Sequence, residues 1–155
     1  MKVRDVMTRE VVTALPDAPV HEVARLMVAH GLSGLPVVTA TGRVVGVVTE
    51  LDLIARNARL EPPAFFKILD GWIPLESPGH YQERLRHMLG TLAREVMTTA
   101  AVTIGPEDDL EALAELMLKQ RVNPVPVVEA GRLVGIVSRT DIVRMMAHQS
   151  EASAA

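Results

Sequence analysis

The sequence predicts an α/β fold of the α+β kind, two tandem β-α-β-β-α units packed through their sheets with pseudo-twofold symmetry. The first observation behind this is that the chain is written twice. "VMTREVVTALPDAPVHEVARLMVAHGLSGLPVV", Val6 to Val38, aligns without a gap on "VMTTAAVTIGPEDDLEALAELMLKQRVNPVPVV", Val96 to Val128. After one lost residue, "GRVVGVVTELDLI", Gly42 to Ile54, aligns on "GRLVGIVSRTDIV", Gly131 to Val143. The second observation is that each copy sets one apolar stripe of helical period among short β-rich runs. The third is size: a unit of roughly 50 residues buries too little surface to be stable alone, so the copies are expected to pair.

The elements follow in order. A β-rich piece, Val11 to Thr13 or Ala101 to Ile104, ends at Pro16 or Pro106. Apolar residues then fall at helical spacing: Val20, Val23, Ala24, Met27 and Val28 in one copy, Leu110, Leu113, Ala114, Met117 and Leu118 in the other. Asp108 with Glu111 predicts a capping box, Pro19 suits the first helical turn, and Gly31 suits a helix end. Two β-rich runs come next, "LPVV" and "VVGVV" or "VPVV" and "LVGIV", joined by a Gly-containing hairpin loop where the lost residue falls. A second helix begins after Thr49 or Ser138.

The predicted layout is a first repeat over 3–56, a connector over 57–92, a second repeat over 93–148 and a flexible tail over 149–155. All four aromatic residues, Phe65, Phe66, Trp72 and Tyr81, lie in the connector. Its "FFKILDGWIPL" predicts a hairpin at Asp70-Gly71. "SPGHYQERLRHMLGTL" predicts a helix with Ser77 as N-cap, Pro78 in the first position and a stripe of Tyr81, Leu85, Met88, Leu89 and Leu92. So apolar a segment must pack on something: its own domain pair, a second copy, or a partner. His80 and His87 share a face of that helix, but without nearby carboxylates they do not predict a metal site.

Composition narrows the function classes. Without cysteine there are no disulfides, thiolate metal sites or thiol nucleophiles. A formal charge of -3 gives no basic footprint for nucleic acid. No apolar run is long enough to cross a bilayer and "MKVRDVMTRE" lacks a signal-peptide core, so the expected location is cytoplasmic. There is no Ser-His-Asp set, metal-ligand cluster or Gly-Lys-Ser/Thr phosphate loop, so no catalytic residue is assigned and an enzyme is not expected.

The unit headed by "VMT", with "LPVV" or "VPVV" in its middle and Gly-h-h-Thr/Ser-x-x-Asp near its end (h apolar), resembles the CBS domain, named after cystathionine beta-synthase. Two in tandem resemble the CBS pair, or Bateman module, over roughly residues 3–56 and 93–148. The resemblance implies a stand-alone regulatory protein that takes an adenosine-type nucleotide (AMP, ADP, ATP or a relative such as S-adenosylmethionine) as regulatory ligand in the cleft between repeats, with no other cofactor. It also implies a homodimer and a separate, unidentified regulated partner. The competing classes are a structural, protein-interaction or nucleic-acid-binding protein without nucleotide sensing, and a nucleotide hydrolase.

The candidate site is the repeated Ser/Thr-x-x-Asp. Thr49 with Asp52, and Ser138 with Asp141, fit a capping box that satisfies the free amides of a helix start. The same amides attract phosphate, and an Asp in the first turn can accept both hydroxyls of a ribose. Capping does not explain Thr140, which stands where the first copy has Leu51. In the family, Ser/Thr-x-Ser/Thr-Asp resembles a ribose-phosphate grip, which implies roles for Ser138, Thr140 and Asp141. Arg139 in the same loop, where the first copy has Glu50, is placed to meet a polyphosphate, against the plain alternative of a solvated residue at a helix start. The resemblance implies an opposite wall of Thr8, Thr13, Leu32 and Ser33. For the weaker site it pairs Thr49 and Asp52 with Thr98, Thr103, Val122 and Asn123. Thr13 and Thr103 have a plain alternative in β propensity. The clefts are expected to be unequal, with the Asp141 cleft the better occupied.

Overall fold

The computed structural model describes residues 1–58, 65–68, 71–74 and 91–153, the side chains of 56–58, 65–68, 71–74 and 149–153 excepted. Helix α1, Val20–His30, buries Val23 and Met27 and ends at Gly31, whose φ of 62° is the left-handed conformation that glycine adopts without steric cost. Strands β1, Gly34–Val38, and β2, Val44–Thr49, pair antiparallel with Leu35 opposite Val48 and Val37 opposite Gly46. Helix α2, Glu50–Ala58, follows β2 directly. In the connector, β3, Phe65–Ile68, pairs antiparallel with β4, Gly71–Pro74, as the Asp-Gly signal predicts. The predicted connector helix from Ser77 lies outside the described residues.

The second repeat begins with a short helix, α3, Ala93–Val96, and repeats the plan: α4, Leu110–Gln120, β5, Val125–Glu129, β6, Arg132–Val137, and α5, Arg139–Ser153. The lost residue falls in the hairpin, as expected. Glu129 pairs with Arg132 across Ala130 and Gly131, both at positive φ, whereas the first hairpin needs the longer Thr39 to Arg43 loop.

Three local expectations are corrected. Asp108 does not cap α4: its carboxylate accepts the Gly105 N–H at 2.8 Å, and the helix starts at Leu110 behind Asp109, which pairs with Lys2 Nζ at 2.8 Å. The first β piece of each copy is reduced to single parallel bridges, Ala14 to Val37 and Ile104 to Val127. Ala14 N–H donates to Pro36 O, and Val38 N–H to Ala14 O. The next rung would need an N–H on Pro36, which proline lacks; Pro126 stops the second copy the same way. Finally, α5 continues to Ser153 through the stretch expected as a flexible tail, because Ala147 to Ala152 contains no helix breaker.

The packing crosses the sequence boundaries. Val3, at the head of the first repeat, is fully buried in the core of the second, among Leu113, Met117, Val125 and Val127. Ala93, at the head of the second, is fully buried in the core of the first, with Val23, Leu35 and Val48. Backbone bonds fix both heads: Val3 N–H to Asp108 O at 3.0 Å, and Ala93 N–H to Ala18 O at 2.8 Å. The exchange continues into the sheets, where Thr8 bridges Ile136 on β6 and Thr98 bridges Val47 on β2. Neither repeat closes a core with its own residues.

This crossing explains the glycine of the repeated motif. A Cβ on Gly46 would stand 2.5 Å from Met97 Sδ and 2.9 Å from Thr98 O; a Cβ on Gly135 would stand 2.5 Å from Met7 Sδ. The methionine of each "VMT" lies over the glycine of the other repeat.

Candidate functional site

Thr49 and Asp52 cap α2 reciprocally. Thr49 N–H and Oγ1 donate to Asp52 Oδ2 at 2.8 and 3.0 Å, and Asp52 N–H donates to Thr49 Oγ1 at 3.3 Å. Ser138 and Asp141 do the same for α5 at 2.7, 2.7 and 3.4 Å. Each cap engages a single carboxylate oxygen, so the motif can also serve a ligand. The second oxygens differ. Asp141 Oδ1 accepts Arg144 Nη1 at 3.3 Å, while Asp52 Oδ1 has no partner among the described residues.

A cavity lies beside each cap, where the head of one repeat passes the helix start of the other. The Asp141 cleft holds about 290 Å³ and is lined by Thr8, Leu32, Ser33, Ser138, Thr140 and Asp141, all from the expected set. The Asp52 cleft holds about 350 Å³ and is lined by Thr49, Asp52, Thr98, Val122 and Asn123, again from that set. Leu51, exposed, takes the place in the Asp52 cleft that Thr140 takes in the other.

Three placements depart from expectation. Thr13 and Thr103 line neither cleft; Val11 and Val12, and Ala101 and Val102, stand there instead. Thr13 lies between Val12 and Ala14, which both pack on the core, and so turns away from the face they share. Arg139 lines the Asp52 cleft and not the cleft of its own neighbours Ser138 and Asp141. Successive helical side chains are about 100° apart, and Asn123 Oδ1 accepts the Arg139 N–H at 2.9 Å, fixing this first residue of α5 against the Asp52 side.

The two clefts share a wall. Ser33 and Pro124 line both, and Asn123 Nδ2 donates to Ser33 Oγ at 3.1 Å across the pseudo-axis.

Beyond Val11, Val12, Ala101 and Val102, the sequence left further lining residues unassigned. Glu10 and Arg144 line the Asp141 cleft, and Arg121 and Pro124 the Asp52 cleft, Pro124 as part of the shared wall. Signals existed for two of them. Arg144 is spaced to pair with Asp141 on a helix, and Arg121 stands at the helix-ending position that the first copy gives to Gly31.

Among the described residues no cluster of three or more His, Cys, Asp or Glu side chains could hold a metal, and no helix is long and apolar enough to cross a membrane. His80 and His87 lie outside those residues.

Comparison with known proteins adds three findings. The family model for the CBS domain matches residues 3–58 and 93–148. The chain is 28% identical over 156 residues to the protein MJ1426 of Methanocaldococcus jannaschii, covering 94% of this chain and 91% of that one. It is 30% identical over 153 residues to the CBS domain-containing protein YhcV of Bacillus subtilis, covering 98% and 91%. Other relatives are longer, and the chain spans 23% of one and 56% of another. Among solved structures, CBSX2 in complex with AMP superposes with a TM-score of 0.73 at 26% identity, covering 96% of this chain and 98% of that one.

Proposed function

The chain belongs to the CBS-domain family and carries the domain twice, and from that premise we propose that it is a regulatory module which binds an adenosine-type ligand between its repeats. The observation that carries this reading is the pair of capped carboxylates. Asp52 and Asp141 each stand in the first turn of a helix, at the edge of a cavity, facing the head of the other repeat. Phosphate is favoured at such a helix start, and a carboxylate oxygen not engaged by the cap can accept ribose hydroxyls. The AMP bound by CBSX2, 26% identical and of the same fold, supports the ligand class.

Ser138, Thr140 and Asp141, with Thr8, Leu32 and Ser33 opposite, are the proposed contacts in one cleft. Thr49, Asp52, Thr98, Val122 and Asn123 are the proposed contacts in the other. A bound ligand bridges a helix start of one repeat and the head of the other, so occupancy favours one packing of the two repeats. A regulated partner would read that packing. Isothermal titration with AMP, ADP, ATP, S-adenosylmethionine and a cyclic dinucleotide tests the reading. Saturable heat with at least one is expected, and athermal mixing with all five, with no shift in melting temperature, would rule out the nucleotide function.

The proposed assembly is a homodimer through the helical faces. Val28 and Leu118 occupy equivalent positions on α1 and α4 and are 84% and 80% exposed. Ile54 on α2, and Val143 and Met146 on α5, extend the two patches. Apolar surface duplicated by a pseudo-twofold axis suits a self-complementary contact with a second copy. Sedimentation analysis of wild type and of Val28→Glu/Leu118→Glu tests it: a dimer that becomes a folded monomer is expected, and an unchanged mass refutes this contact.

A further inference from the structure

The two clefts differ in charge at equivalent positions. Where the first copy ends α1 with Gly31, the second ends α4 with Arg121, which adopts φ 54° and ψ 40°. A non-glycine side chain in this region is disfavoured, and for a residue without a short polar side chain it is uncommon. Arg121 lines the Asp52 cleft and is joined there by Arg139. Neither guanidinium has an ion-pair or hydrogen-bond partner among the described residues. The Asp141 cleft has a single arginine, Arg144, which Asp141 engages, and is also lined by His30; each cleft is lined by two acids, Glu10 and Asp141 here, Glu50 and Asp52 there. Both aspartates are held by equivalent caps, and Glu50 also borders the apolar groove beside Leu53 and Ile54, so the difference between the clefts lies in the arginines.

We propose that the Asp52 cleft is selective for adenosine ligands bearing two or three phosphates, with Arg121 and Arg139 as the specificity-determining residues. Resting on the nucleotide reading above, it reverses the expected order of the clefts for such ligands. In the Asp141 cleft the one arginine is already paired with Asp141, which leaves no unengaged guanidinium for a phosphate chain, so ligands with one phosphate or none are favoured there. Each charge-assisted contact to a terminal phosphate is worth roughly tenfold in affinity. Both arginines are exposed, so the selectivity falls as salt rises.

The test compares wild type with Arg121→Gly and Arg139→Gln, singly and together. Arg121→Gly installs the residue the first copy uses at this conformation and preserves the backbone. Calorimetry with AMP and ATP is expected to show the ATP preference dropping by about tenfold per arginine, with AMP affinity changed much less. Tripolyphosphate, without adenosine, is expected to raise the melting temperature of wild type and not of the double variant. If nucleotides bind and the double variant keeps the wild-type ratio of ATP to AMP affinity, the polyphosphate inference is overturned and the nucleotide reading stands. If no nucleotide binds but tripolyphosphate binds through the arginines, the nucleotide reading falls and the anion site stands. Binding of neither overturns both.

Discussion

The glycines at the repeat crossing give the sharpest quantitative prediction. Gly46→Ala puts a methyl group 2.5 Å from Met97 Sδ, 2.8 Å from its Cγ and 2.9 Å from Thr98 O. Gly135→Ala puts one 2.5, 2.9 and 3.2 Å from Met7 Sδ, Cγ and Cβ, with no backbone atom among these nearest three. A methionine side chain can re-rotamer, but Thr98 O accepts the Val47 N–H at 3.1 Å and can yield only by opening that bridge. Overpacking costs about 1–3 kcal/mol, and one lost hydrogen bond adds about 1. Gly46→Ala should therefore cost roughly 2–4 kcal/mol and Gly135→Ala roughly 1–2, from the same sources. For a chain of this size, each kcal/mol lowers the melting temperature by about 2–4 °C. Thermal unfolding by circular dichroism reads the difference, and double-mutant cycles sharpen it. Met7→Ala should relieve most of the Gly135→Ala penalty, while Met97→Ala should relieve only part of the Gly46→Ala penalty. If Gly135→Ala is as costly as Gly46→Ala, or Met97→Ala gives full relief, the backbone contact is not what holds the glycine.

Three further outcomes follow from the same contacts. Val3→Ala should cost about 2–3 kcal/mol and weaken hydrogen-exchange protection in β5 and β6, although Val3 belongs by sequence to the other repeat; loss confined to the first repeat would contradict the crossed packing. Thr49→Ala and Ser138→Ala should each cost about 1 kcal/mol in chemical denaturation without ligand, since each removes an N-cap, and no change in either would contradict the capping geometry. The Lys2–Asp109 pair raises the lysine pKa above its ordinary 10.5 and lowers the aspartate below its ordinary 3.8, each mainly through their mutual hydrogen bond. The lysine part is fully present below 10.5 and is lost as pH rises through the raised value. The aspartate part is fully present above 3.8 and is lost as pH falls through the lowered value. Both side chains are exposed, so Lys2→Met should produce only a small loss between these limits and converge with wild type outside them, which denaturation across pH checks.

Much of the architecture was legible because duplication doubles every signal. The helical stripe of Val23 and Met27 repeats as Leu113 and Met117, and Gly31 marks a helix end by conformation alone. What was not legible was connectivity in space. No periodicity separates a Val3 that packs in its own repeat from one that packs in the other, because burial gives the same pattern in both cases. Arg139 shows the same limit at the site. Its neighbours Ser138 and Asp141 are fixed by a local cap that sequence spacing reveals, but its own direction is set by Asn123, sixteen residues away on the other side of a hairpin. Thr13 carried β propensity as a plain alternative to a ligand role, and sequence alone could not say that Val11 and Val12 would line the cleft in its place.

The crossed heads also bear on how such a chain can arise. A single repeat built to this plan has no residue to fill the place of Val3 or Ala93 in its own core. It would close only by trading heads with an identical copy, as an intertwined pair of short chains. Joining two copies through the connector turns that bimolecular trade into an intramolecular one and raises the effective concentration of each head for its socket. Once joined, the copies need no longer be identical. Arg121 can then stand opposite Gly31, and Glu10 opposite Ala100, so a symmetric pair of pockets becomes two pockets free to diverge.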